Sequence, residues 1–157
     1  MDASLERTIT VHRATRRDLD ALLELCVGWK GAPASTDPVR LRDLLEQALS
    51  DDDATFYLAF EGERQALGFA HITFQARPVR LGWRATIEEL HARDGLEGRV
   101  ERPLLEAIID ECRSRGDVIA LYLLTQPDLE PRQYDFYADL GFRERGREVL
   151  IWSGALT

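Results

Sequence analysis

"RATIEELHARDGLEGRVERPLLEAIIDECRSRG", residues 84–116, carries three patterns in succession. Residues 84–92 combine β-branched and apolar residues with Glu88 and Glu89, and read as a strand. From about Arg102 to Arg115 the chain reads as a helix. Gly116 ends it, at the position that favours a left-handed residue. Between strand and helix lies "RDGLEGRVE". A loop opening into a helix start presents main-chain N–H groups and the positive end of the helix dipole, a natural seat for phosphate. Arg99 and Glu101 stand where small residues would best let an anion approach.

Outward from that stretch the remaining elements fall into place. Residues 8–14, "TITVHRA", alternate as a first strand. Thr15 and Asp18 form a capping-box start to a helix whose apolar face is Leu19, Leu22, Leu23, Cys26 and Trp29. Asp37 and Pro38, a cap and a first-turn proline, open a second helix with Leu41, Leu44, Leu45 and Ala48 as its buried stripe. "ATFYLAFEGERQALGFAHITF" is a hairpin of two β-rich runs around "EGER". A loop over 76–83 leads back to 84–92. Beyond the third helix, "DVIALYLLT" is nearly continuous in apolar residues and predicts a strand covered on both faces. "PRQYDFYADLGF" is a short helix ended by Gly141, and residues 143–152 close as a last strand. The order is β-α-α-β-β-β-α-β-α-β, a mixed α/β fold with helices on the faces of one sheet. No repeat or long linker divides it, so residues 1–157 are expected to form one domain.

Composition narrows the function. With 45% hydrophobic and 31% charged residues the chain has an ordinary globular balance, and its net charge of −8 excludes a broad nucleic-acid surface. That charge suits basic or amine-bearing partners. No apolar run reaches membrane-spanning length and the N-terminal stretch lacks a secretory pattern, so a cytoplasmic location is the default expectation. Cys26 and Cys112 are far apart and belong to no metal-ligand spacing, which predicts buried, inert thiols. His12, His71 and His91 are scattered, so no metal site is expected.

The element order, "IEEL" on a strand, the loop feeding "RPLLEAIIDECRSRG", and "FYADLGF" near the end together resemble the GNAT N-acetyltransferase superfamily, from Ile9 to Trp152. The resemblance implies transfer of an acetyl group from acetyl-CoA, as donor substrate, to an amine of a small molecule or protein. It also implies a V-shaped opening between the fourth and fifth strands for the pantetheine arm, and a homodimer in many members. The family's loop motif, Q/R-x-x-G-x-G/A, falls on Leu96, Glu97, Gly98, Arg99, Val100 and Glu101, followed by Arg102. Only its spacing is kept: Gly98 is one place from the motif's first glycine, and Glu101 puts a carboxylate where the diphosphate would sit. Before the last helix, Glu130 and Gln133 replace the family's Asn-x-x-Ala.

Acyl transfer to an amine needs a neutral nucleophile, a polarised carbonyl and a proton for the leaving thiolate. Glu88 or Glu89 is the candidate base, and strand alternation predicts that only one of them faces the cleft. Main-chain N–H groups of Leu90, His91 and Ala92 would polarise the carbonyl. By the resemblance, Tyr137 is the acid that protonates the thiolate, with Tyr134 one turn earlier as its substitute. Trp29, Tyr57, Phe74 and Trp83 are candidate lining for an acceptor pocket. Two other readings stay open: a GNAT-like binding module that has lost CoA, and an enzyme for a different acyl donor whose recognition does not depend on the diphosphate.

Overall fold

Thr15 begins the helical layer as its sequence predicts. Its side chain accepts from the Arg17 N–H, while the Asp18 carboxylate accepts from the Thr15 N–H at 2.8 Å. A single 3-10 turn, Arg16–Asp18, passes into α1, Leu19–Val27, which buries Leu19, Leu22, Leu25 and Cys26. This computed structural model describes residues 8–28, 37–62, 65–125 and 129–145. Trp29 lies outside them. Asp37 caps α2, Pro38–Leu49, through the Val39 N–H at 2.9 Å. The stripe expected on α2 is narrower than Leu41, Leu44, Leu45 and Ala48. Leu45 is buried with Leu41 and Ala48 packed beside it, but Leu44 is 53% exposed. One residue along a helix turns the side chain by about 100°, enough to carry Leu44 off the packed face.

The sheet runs β1 (Ile9–Arg13), β2 (Ala54–Glu61), β3 (Gln65–Arg77), β4 (Gly82–Ala92), β5 (Val118–Leu123), in that spatial order. The first three junctions are antiparallel and β4–β5 is parallel. A parallel neighbour requires a crossover, and α3, Glu101–Arg115, supplies it. Gly116 ends α3 at φ 75°, in the left-handed region. Against one face of the sheet, α1 and α2 pack Leu22, Leu25 and Leu45 onto Phe56, Leu58 and Phe69. On the opposite face α3 buries Leu104, Leu105 and Ile108, with Val100 next to Gly68. β4 begins two residues earlier than residue 84. β5 departs from expectation, for its residues are half-buried and Ile119 is 50% exposed. Among the described residues β5 has a ladder partner only in β4.

Residues Met1–Gln126 and Pro127–Thr157 form two compact units. In the second, α4 spans Pro131–Asp139. Glu130 and Gln133 are its reciprocal capping box, the Glu130 N–H donating to the Gln133 side-chain Oε1 at 3.0 Å. The last expected strand is not described: residues 143–145 carry no regular structure and 146–152 lie outside the described residues. Cys26 and Cys112 are free and buried. Burial, followed by the Glu89 charge, pushes the Cys26 thiol up to about 12. No described helix is long and apolar enough to cross a membrane, and the described residues include no cluster suited to a metal ion.

Candidate functional site

The β3–β4 register slips by one residue next to the two glutamates. His71 pairs with Glu89 and Ile72 with Ile87, so Glu88 is an extra residue, a β-bulge in β4. Strand alternation predicts opposite faces for Glu88 and Glu89. The bulge breaks that alternation and turns both to one side. Thr73 Oγ1 donates to Glu88 Oε1 at 2.6 Å, and Glu89 Oε2 lies 3.9 Å from His71 Nδ1. Thr73 and His71 are two apart on an unbulged stretch of β3 and share a face. It is the α1–α2 face, because His71 stacks on core residue Phe56 with ring centroids 4.3 Å apart.

The cluster's electrostatics follow from partial burial. Burial raises the Glu89 carboxyl above its ordinary value and the adjacent Glu88 charge raises it further. Burial lowers the His71 imidazole, against the pull of Glu88 and Asp51, which favours its neutral form. His71 Nε2 is buried and has no hydrogen-bond partner among the described residues. His71 and Thr73 were absent from the sequence-derived candidates. Neither carries a local motif, and only the strand register brings them to the glutamates.

Beyond the bulge the sheet opens. The β4–β5 ladder ends at Ile87↔Leu123, with a last contact of 3.4 Å from the Leu124 N–H to the Ile87 carbonyl. β4 continues to Ala92 without a partner on that side among the described residues. The Arg93 N–H donates across to Leu67 on the β3 side at 2.8 Å. Main-chain groups alternate along a strand, so the N–H groups of Leu90 and Ala92 point away from β3, toward the gap. His91 carries the intervening N–H, directed to β3; its ring tilts against Phe69.

The loop that follows is closed on itself. Leu96 N–H donates to the Arg93 carbonyl, and the N–H groups of Arg99 and Val100 both donate to the Leu96 carbonyl, at 3.1 and 3.2 Å. The Glu101 carboxylate reaches back and accepts from the Gly98 N–H. Burial raises the Glu101 carboxyl, the N–H groups of Gly98 and of Glu101 itself oppose that rise, and Glu97 adds to it. Arg93 is held by Glu24 at 2.9 Å and by the Ala66 carbonyl at 2.7 Å, and Arg99 reaches Glu61 at 3.4 Å. Arg102 sits in the first turn of α3.

Tyr134 and Tyr137 lie on α4 in the second unit. Tyr137 packs edge-on against Phe136 and Phe142, at 5.3 and 6.3 Å between centroids. Tyr57 and Phe74 are buried on the α3 side, Tyr57 beside Glu111 and Cys112 and Phe74 beneath the Arg115 guanidinium. They belong to the core across the sheet from the glutamates, so they do not line an acceptor pocket there. Trp83 is half-buried at the start of β4.

Known proteins share this architecture. The GNAT acetyltransferase family profile matches residues 19–142. A solved structure of a protein described as a probable acetyltransferase superposes with a TM-score of 0.79 at 23% identity, covering 94% of this chain and 98% of the other. An Arthrobacter sp. FB24 protein described as an acetyltransferase is 25% identical, with a TM-score of 0.74, covering 100% and 99%. AAC(6')-Iy, solved with the bisubstrate analogue CoA-S-monomethyl-acetylneamine, has a TM-score of 0.74 at 20% identity over 94% and 99%. No curated protein matches the sequence. The profile match over most of the chain, on a sheet that parts between β4 and β5, places this protein in the GNAT acetyltransferase family, whose members take an acetyl group from acetyl-CoA.

Proposed function

We propose that this acetyltransferase acts on a small, multiply charged amine held on the α1–α2 face, with Glu89 as its general base. The observation that carries this reading is the bulge that turns both glutamates toward His71 and Thr73. An alkylammonium has a pKa near about 10 and must lose a proton before it attacks. Glu89, raised by burial and by Glu88, is a stronger base than a solvated carboxylate. Glu88 has its Oε1 engaged by Thr73, so its role is to attract and orient the ammonium. Asp51 adds negative charge beside His71, and the chain as a whole carries −8. The bisubstrate analogue in one structural neighbour joins CoA to an acetylneamine, an amine-derived group of the same chemical class.

The donor supplies an activated acetyl thioester. Toward it, the N–H groups of Leu90 and Ala92 are the donors available at the gap for a carbonyl oxygen. Tyr137 is the proposed proton source for the departing thiolate, with Tyr134 as its alternate, a role carried over from the family. The diphosphate end fares differently. The loop N–H groups of Gly98, Arg99 and Val100 are already engaged, and the described loop does not fit a diphosphate. A homodimer and a cytoplasmic setting complete the proposal, and sedimentation velocity reads the first.

The test is thiol release from acetyl-CoA across a panel of polyamines, aminoglycosides and amino acids. Polycations are expected to lead, with kcat/KM falling as salt is added. Glu89→Gln is expected to lower kcat by about 10²- to 10⁴-fold. Glu88→Gln is expected to act mainly on KM for the amine. Equal kcat losses in both variants, or a preference for uncharged acceptors, would refute the assignment.

A further inference from the structure

We infer that this chain recognises its acyl donor through the thioester and pantetheine end and gains little from the diphosphate, because Glu101 occupies the anion seat in front of α3. The inference rests on the acetyltransferase reading above. A helix start attracts a diphosphate by offering free N–H groups and positive charge. Here much of each is spent within the protein. The Glu101 carboxylate accepts from the Gly98 N–H, and the Leu96 carbonyl takes the N–H groups of Arg99 and Val100. Pro103, at the third position of α3, has no N–H to offer. Two of the nearby cations are also committed, Arg93 to Glu24 and Arg99 to Glu61.

Swinging the Glu101 side chain aside would not restore a seat. Its carboxylate is tethered to the first turn and would remain beside the incoming charge, with Glu97 adding to the repulsion. The sheet remains open past Ile87 on the side where Leu90 and Ala92 direct their N–H groups. The end of the donor that carries the acetyl group therefore keeps its contacts while the nucleotide end loses its own.

Two measurements test this. With one good amine acceptor, kcat/KM is compared for acetyl-CoA and S-acetylpantetheine, which lacks the diphosphate and nucleotide. A ratio within about 10-fold is expected, since binding energy that is never formed cannot be lost by truncation. A larger preference for acetyl-CoA would overturn the inference. Glu101→Ala should improve kcat/KM for acetyl-CoA and leave that for S-acetylpantetheine unchanged. Glu101→Gln, which keeps an acceptor for the Gly98 N–H without the charge, guards against a loop that merely unravels. The second measurement needs no turnover: ADP serves as a diphosphate probe in thermal melts. It should leave the wild-type melting temperature unmoved at millimolar concentration and raise that of Glu101→Ala. An ADP shift in the wild type as large as in the variant sinks the inference. Absence of turnover with either donor would count against the proposed function, and the ADP result would still decide this one.

Discussion

Gly68 makes the sharpest stability prediction, because its hydrogen is the only substituent its surroundings admit. It lies on β3 opposite Ala92, at the end of β4 that leads into the loop. A Cβ built there would sit 2.3 Å from the His91 carbonyl oxygen, 2.8 Å from Val100 Cγ1 and 3.2 Å from Ala92 Cα. Carbon and carbonyl oxygen meet at about 3.3 Å or more, so Gly68→Ala requires a shift of roughly 1 Å. The first obstacle is strand backbone inside a paired ladder, which cannot rotate away as a side chain does. Forcing a methyl group into a packed site typically costs about 1–3 kcal/mol, and backbone resistance argues for about 3. For a chain of this length each kcal/mol moves the melting temperature by about 2–4 °C, giving an expected drop of about 6–12 °C. Thermal melts followed by circular dichroism read this directly. Adding Val100→Ala relieves the second contact only, and should not rescue the variant. A Gly68→Ala protein melting within about 2 °C of wild type would refute the reasoning.

Two further outcomes follow from the perturbed groups. His71 has its folded pKa lowered below its ordinary 6.5 by burial, so the unfolded chain binds more protons as pH falls through that value. Its stabilising contribution is therefore present above about 6.5 and is lost on acidification toward the folded pKa, and His71→Phe should flatten that slope in melts between about pH 7.5 and 5.5. An unchanged slope would count against a neutral buried imidazole. With the Cys26 thiol pushed up to about 12, roughly one molecule in 10⁴ is ionised there at about pH 8. Neither Cys26 nor Cys112 should react with iodoacetamide in native buffer, while both should in guanidinium; full labelling of the native protein would show that the thiols are not buried.

Much of this was legible in the chain because it depends on near neighbours. The Thr15–Asp18 box, the Asp37–Pro38 helix start and the Gly116 stop each involve residues a few positions apart, and each forms as read. The alternation and length of the β-rich runs likewise gave the hairpin and the strand order. The closure of the Glu101 carboxylate on its own loop was legible too, since a first-turn carboxylate is attracted to the positive end of its helix.

What tertiary structure alone decided concerns pairs that sequence distance hides. Alternation from Ile87 onward predicts one glutamate per face. The extra residue at Glu88 exists only relative to β3, because a bulge is a mismatch between two strands. His71 and Thr73 join the site through that same register, and Tyr57 leaves it because its side of β2 faces α3. The order and type of the described elements from β1 to α4 were thus set by short-range chemistry along the chain. Which side chains share a face was set by strand pairing and by the helices packed on either side, since these bring together residues with no local signal in common.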